Sequence, residues 1–107
     1  MLLALDVGNT NITIGVFDGT KLLRTLRVTT KLPRTSDEYG ILIKSLLREN
    51  DIDPDRIDAT IVSSVVPAVM YSLRNGLYKY FHVEPLIVEP GIKTGIRIVT
   101  DHPAQIG

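Results

Sequence analysis

The sequence predicts an α/β domain built on a mixed sheet, with the element order β-β-β-α-β-α-β. Three short apolar or alternating segments follow one another at the start of the chain, and tight-turn signals separate them, which is typical of antiparallel strands. Two segments with apolar residues at helical spacing then alternate with strand-like runs, which predicts parallel strands joined by crossover helices. A chain of 107 residues, 44% of them hydrophobic, is long enough for one domain with its own core.

The first three strands are predicted from their hydrophobic pattern. Residues 2–7 form an apolar run in which Asp6 is the one polar residue, and such a run is typical of a strand buried on both faces. Residues 11–17 alternate between polar or small residues and apolar ones, which is the period of a strand. Asp18-Gly19 is a strong hairpin signal, so residues 21–28 are predicted to form the third strand.

The first helix is predicted to begin at Thr35, because Thr35 and Glu38 have the spacing of a capping box. Its predicted core face consists of Ile41, Leu42, Leu46 and Leu47. Asn50-Asp51 is expected to end the helix, and residues 53–55 (D-P-D) are expected to form a turn.

The second half of the chain repeats the alternation of strand and helix. Residues 59–66 are rich in β-branched residues and predict a buried strand. Pro67 suits the first turn of a second helix that runs to Phe81, with Gly76 as a position at which the helix could break. Residues 85–89 predict a short strand, and residues 96–99 predict a further strand or extended segment.

Composition excludes several classes of function. The 12 Lys and Arg balance the 12 Asp and Glu without any run of like charge, which argues against a broadly basic nucleic-acid surface. There is no cysteine, so disulfides and thiolate catalysis are excluded, and two histidines twenty positions apart disfavour a histidine metal site. No basic segment precedes the apolar start, and no apolar stretch is long enough to cross a membrane, so we expect a soluble intracellular domain.

The turn after the first predicted strand carries the chemistry that points to a ligand. Gly8 is expected to adopt a positive φ and to bring backbone N–H groups close to an anion, while Asn9 and Thr10 add side-chain donors. Phosphate would repel Asp6 unless a cation lay between them, so we expect Asp6 to hold Mg²⁺ directly or through water. The turn is therefore expected to bind Mg·ATP.

Two alternatives stay open at this point. Asp6 and Asn9 could simply stabilise a tight turn through local hydrogen bonds, although an unpaired charge at the end of a buried strand would then be costly. Ser63 and Ser64 could present hydroxyls to a cleft, or a serine could cap the second helix. Walker A and G-x-G-x-x-G motifs are absent, so a nucleotide site here would be neither a P-loop nor a dinucleotide fold.

The turn at residues 6–10 (D-V-G-N-T) resembles the first phosphate motif of the superfamily that contains acetate and sugar kinases, heat-shock ATPases and actin. Within that superfamily the chain resembles type III pantothenate kinases, through residues 63–67 (S-S-V-V-P), 90–96 (P-G-I-K-T-G-I) and 101–107 (D-H-P-A-Q-I-G). The last segment leads into the family's G-A-D-R motif. The resemblance covers essentially the whole chain and implies a ribonuclease H-like mixed sheet that forms one lobe of a two-lobed kinase.

The resemblance also implies an activity, which is ATP-dependent phosphorylation of pantothenate to 4'-phosphopantothenate, the first step of coenzyme A biosynthesis. It implies Mg·ATP, a monovalent cation (potassium or ammonium), and a cytoplasmic homodimer. The balanced charge and the lack of a long apolar stretch add the expectation of no nucleic-acid or membrane partner. It assigns to the ATP phosphates Asp6, Val7, Gly8, Asn9, Thr10, Asn11, Ile12 and Thr13. It assigns Gly107 to the pantothenate site, and Thr100 stands where many members have a tyrosine that touches pantothenate.

In the family, the catalytic aspartate that acts as general base lies two residues beyond the glycine that Gly107 matches, and a second lobe follows. Residues 1–107 are therefore expected to form the N-terminal, ATP-phosphate-binding lobe and to be inactive alone. The alternative function is a non-catalytic ATP-binding or regulatory module of the same superfamily. Pantothenate-dependent ADP formation separates the two.

Overall fold

The computed structural model of the chain describes residues 1–30, 32–64 and 66–88. Its elements are β1 (Leu2–Val7), β2 (Asn11–Asp18), β3 (Lys21–Thr29), α1 (Ser36–Glu49), β4 (Ala59–Ser64), α2 (Pro67–Phe81) and β5 (Leu86–Val88). The predicted order is confirmed, and the predicted turn at residues 53–55 is a short 3₁₀ helix, Pro54–Arg56. The predicted extended segment at residues 96–99 lies outside the described residues.

The sheet is mixed, as the element order predicts. Its strand order is β3-β2-β1-β4-β5. β2 runs antiparallel to both β1 and β3, whereas β4 runs parallel to β1 and to β5. β1, the first strand of the chain, is therefore the middle strand of the sheet.

Both helices pack against one face of the sheet. Alternate residues of the two central strands, Leu3, Leu5 and Val7 on β1 and Ile12, Ile14 and Val16 on β2, form the core with the helices. The other face, which we call the helix-free face because no described helix covers it, carries Leu2, Ala4 and Asp6, and these are only partly buried. The expectation that β1 is buried on both faces is therefore wrong for the described part of the chain. Right-handed crossovers made in the same direction across the sheet place both helices on the same side.

α1 begins with the predicted capping box. The Glu38 amide donates to Thr35 Oγ1 at 3.1 Å, and the Thr35 amide donates to Glu38 Oε1 at 2.8 Å. The predicted core face is partly wrong, because Ile41 is 54% exposed. The buried residues of α1 are Tyr39, Gly40, Ile43 and Leu47. The face of α1 that contains Gly40 is buried, and Ile41 is not, because α2 packs against α1 at Gly40.

The two helices meet at a pair of glycines. A Cβ atom added to Gly76 would lie 2.5 Å from the carbonyl oxygen of Ser36, and one added to Gly40 would overlap the Tyr80 ring. Both glycines are buried, and α2 continues through Gly76 without a break. Gly76 is therefore not a helix breaker but the residue that lets the backbones of α1 and α2 approach closely.

The ends of α2 lie where the sequence predicts them. Pro67 is in the first turn, and His82 closes the last turn in a left-handed conformation with a φ of 59°. In the described ranges, neither helix combines the length and the apolar character that a membrane-crossing helix needs.

Candidate functional site

The turn between β1 and β2 lies at the edge of the sheet where the carboxyl ends of four strands meet. β1, β3, β4 and β5 run in the same direction, so the last residues of β1, β3 and β4 (Val7, Thr29 and Ser64) reach the same edge. α1 and α2 both begin on this side. In open α/β sheets, ligands bind in the crevice outside the carboxyl ends of the strands.

The turn is anchored by the end of β3. The Thr30 amide donates to the Thr10 carbonyl at 2.8 Å, and the Thr30 hydroxyl donates to the Gly8 carbonyl at 3.2 Å. The Thr29 hydroxyl also donates to the Thr10 carbonyl, at 3.3 Å. These bonds hold the carbonyl groups of the turn towards the sheet, and Asn9 and Thr10 remain exposed at its tip. Sequence reasoning missed both threonines, because their role depends on the pairing of β3 with β2.

Gly8 has a different role from the predicted one. The expectation of a positive φ is wrong, since Gly19 in the β2–β3 hairpin is the only described glycine with one. A Cβ at Gly8 would lie 3.3 Å from the Asn11 carbonyl oxygen, a contact slightly tighter than usual, so the turn would have to widen by a few tenths of an ångström to accept a side chain. The Gly8 amide donates to that same oxygen at 2.9 Å, so it is engaged inside the turn and not offered to an anion.

The eight residues assigned to the ATP phosphates divide into three groups. The side chains of Val7 and Ile12 are buried in the core, so only their backbone can face a ligand. Gly8 shapes the turn. The remaining five carry polar side chains on the helix-free face or at the tip, and they are Asp6, Asn9, Thr10, Asn11 and Thr13.

Asp6 is a partly buried carboxylate without a cationic partner in the described part of the chain. The described ion pairs all lie elsewhere. Burial raises the pKa of Asp6 above its ordinary value, which means that the ionised form is poorly solvated. No described hydrogen bond of the turn comes from the side chain of Asp6 or Asn9, so the turn-stabilising alternative has no support in these contacts.

The donor set at Asp6 fits Mg²⁺ that arrives with a nucleotide. The described residues contain no group of three His, Cys, Asp or Glu side chains that could enclose a metal ion. One carboxylate on the central strand is flanked by hydroxyl groups, because Thr13 of β2 and Ser63 of β4 lie directly opposite Asp6. Magnesium commonly binds one or two carboxylates and completes its octahedral shell with water and phosphate oxygens.

The two serines at the end of β4 have different surroundings. The Val66 amide donates to Ser64 Oγ at 2.9 Å, and the N-cap of α2 is Val66, without a side-chain cap. The expectation that a serine caps α2 is therefore wrong. Ser63 is 5% exposed and lies on the helix-free face. Thr100 and Gly107, the residues assigned to pantothenate, lie outside the described residues.

Comparison with known proteins identifies the family to which the chain belongs. The family model for type III pantothenate kinase matches residues 2–107. A type III pantothenate kinase of Agathobacter rectalis is 62% identical over all 107 residues, and one of Myxococcus xanthus is 50% identical over the same length. The chain covers 41% and 42% of these two proteins, so it spans about two fifths of the length of the curated relatives that it matches.

Comparison with solved structures agrees on the fold. A ROK hexokinase of Thermus thermophilus superposes with a TM-score of 0.62 at 21% identity, over 83% of this chain and 33% of that one. RuvC of T. thermophilus, in complex with a Holliday junction substrate, superposes with a TM-score of 0.51 at 18% identity, over 83% and 64%. At these identities the likeness concerns the fold alone, and it confirms the predicted ribonuclease H-like sheet.

Proposed function

The chain belongs to the type III pantothenate kinase family, and on that premise we propose that the whole protein transfers the γ-phosphoryl group of ATP to pantothenate. The product would be 4'-phosphopantothenate, in the first step of coenzyme A biosynthesis. The observation that carries this proposal is the family match along residues 2–107. Residues 1–107 would serve as the N-terminal, ATP-phosphate-binding lobe.

The site residues would act on the phosphates from the carboxyl edge of the sheet. Asp6 would hold the water shell of Mg²⁺, and the exposed side chains of Asn9 and Thr10 would donate to phosphate oxygens. Thr29 and Thr30 support this proposal, because their hydrogen bonds fix the turn before any ligand arrives. When bound with ATP, magnesium neutralises part of the phosphate charge and so favours phosphoryl transfer.

The acceptor side of the reaction is proposed from the family resemblance. Thr100 and Gly107 would contact pantothenate, and a general base beyond them would accept the proton of the substrate hydroxyl. We further propose that the protein needs potassium or ammonium and acts as a cytoplasmic homodimer.

The test is pantothenate-dependent ADP formation by the full-length protein. We expect ADP and 4'-phosphopantothenate to appear in equal amounts when both substrates, Mg²⁺ and potassium are present. Asp6→Asn should lower kcat/KM about 100-fold or more, since it removes a charge that acts on the reacting phosphates through the cation. The matched control is Asp18→Asn, which removes an exposed carboxylate at the opposite end of β2 and should leave activity unchanged.

Two results would contradict the proposal. ATP binding without pantothenate-dependent turnover would favour the non-catalytic ATP-binding or regulatory module. Equal loss of activity in Asp6→Asn and Asp18→Asn would show that loss of a carboxylate anywhere in the lobe is harmful, and Asp6 would lose its assigned role.

A further inference from the structure

We propose that Ser63 is a positioning residue of the same site, whose hydroxyl orders the water shell of the divalent cation beside Asp6. The inference rests on the proposed function, because it concerns the cation that accompanies ATP. It adds to the site a residue on β4, a strand that contributes none of the eight residues assigned to the phosphates.

The register of the sheet places three polar side chains in one row. Asp6 on the central strand is directly opposite Thr13 on β2 and Ser63 on β4. Neighbouring strands lie about 4.8 Å apart, and directly opposite residues point to the same face. The two hydroxyls therefore flank the carboxylate at a separation that one hydrogen bond or one bridging water can span.

Burial distinguishes Ser63 from a surface serine. It is 5% exposed, and the other β4 residues on the helix-free face are Ala59 and Ile61, which are apolar. Its directly paired neighbours are Asp6 on β1 and Val88 on β5, of which only Asp6 is polar. Buried hydroxyl groups are normally hydrogen-bonded, and no described hydrogen bond joins Ser63 to Asp6, so a water held between the two groups is the natural partner of Ser63.

The start of α2 does not account for Ser63. Ser64 is the serine that binds the backbone leading into the helix, through Val66, and its side chain lies on the opposite face of β4. Ser63 and Ser64 are adjacent in sequence and differ in the face that they occupy. This pair therefore provides a matched comparison.

A hydroxyl at position 63 also has an electrostatic consequence. With Ser63 and Thr13 neutral, Asp6 contributes the only negative charge of the row, which suits a cation held jointly by the protein and by phosphate. A carboxylate at position 63 would lie next to Asp6 and would add a second charge to the cation site. We therefore expect the nucleotide-free protein to bind Mn²⁺ weakly and the variant Ser63→Asp to bind it at least about tenfold more tightly.

The experiment measures Mn²⁺ binding to the full-length protein by electron paramagnetic resonance, without nucleotide. Ser63→Asp should tighten binding, whereas Ser64→Asp, which adds the same charge on the opposite face, should not. The double variant Asp6→Asn/Ser63→Asp should lose the gain. Circular dichroism verifies that each variant is folded.

A second arm uses the subtler change Ser63→Ala. It should raise the Mg²⁺ concentration needed for half-maximal ADP formation several-fold and leave the KM for pantothenate unchanged. A general loss of stability would instead lower the total rate without this selective change in the Mg²⁺ requirement. Folded Ser63→Asp with unchanged Mn²⁺ affinity, or Ser63→Ala with an unchanged Mg²⁺ requirement, would overturn the inference. If the wild-type protein shows no pantothenate-dependent turnover, the proposed function fails, and the Mn²⁺ measurement still decides the role of Ser63.

Discussion

The closest approach of the two helices leads to a prediction about Gly76. Replacement by alanine would place a methyl group 2.5 Å from the carbonyl oxygen of Ser36, where ordinary contacts begin at about 3.4 Å. The obstructing atom belongs to the backbone of the first turn of α1, which the capping box of Thr35 and Glu38 holds in place. No side-chain rotation can relieve the overlap, so the helices must move apart by nearly 1 Å.

The expected cost follows from two opposing effects. Overpacking a well-packed contact costs about 1–3 kcal/mol. Replacing a helical glycine by alanine returns up to about 1 kcal/mol through helix propensity. Because neither the new methyl group nor the carbonyl oxygen of Ser36 can rotate away, we expect the cost to prevail, with a net loss of about 1–2 kcal/mol in the free energy of unfolding.

Urea unfolding of the wild type and of Gly76→Ala measures this difference. The control is Ser45, which is exposed in the middle of α1. The difference between Ser45→Ala and Ser45→Gly gives the propensity effect without a helix contact. If Gly76→Ala is stabilised by the amount that separates the two Ser45 variants, the close-contact argument is refuted.

Three further predictions concern polar groups. Thr60→Val should raise the free energy of unfolding by about 1 kcal/mol in urea titrations, because Thr60 is 2% exposed and its hydroxyl has no partner among the described residues. A lower free energy of unfolding in this variant would contradict the prediction. Hydrogen bonds from Lys79 and Tyr80 lower the pKa of Asp37, so its contribution to stability is present at neutral pH and lost as the pH falls through that lowered value. Asp37→Asn should therefore lower the Tm at pH 7 but not in strong acid, and a pH-independent difference would refute the assignment. Thr30→Val removes the hydroxyl bond to Gly8 and should raise the KM for ATP in the full-length protein, whereas Thr25→Val, on the exposed part of β3, should not.

The elements that sequence alone predicts are those with local chemical signals. The capping box of Thr35 and Glu38, the Asp18-Gly19 hairpin and Pro67 at the start of α2 all act within a few residues, so their spacing predicts them directly. Ile41 and Gly76 show the limit of such reasoning. Whether Ile41 is buried depends on how α2 crosses α1, and that crossing is a tertiary property.

The candidate site also contains residues that the sequence alone points to and residues that only the pairing of strands reveals. Asp6 can be selected from the sequence because a carboxylate at the end of an apolar run is unusual and costly to bury. Thr30 cannot, and the sequence names Ser63 only together with Ser64 and leaves their role open, because nearness to the turn and to Asp6 depends on strand pairing over long separations in sequence. The error at Gly8 has the same origin, since its conformation is set by the bond to Asn11 and not by residue type.

The central place of β1 also has a consequence for how the protein folds. β1 leaves the ribosome before the other described strands, and β2 and then β3 can add to it at once through short turns. Its other edge stays open until β4 has been synthesised and docked, so the backbone N–H and C=O groups of that edge are open to wrong partners during the interval. Because Ser63 pairs with Asp6 only when β4 docks, the proposed cation site would be completed late, and a divalent ion bound there would stabilise only chains that have passed this step.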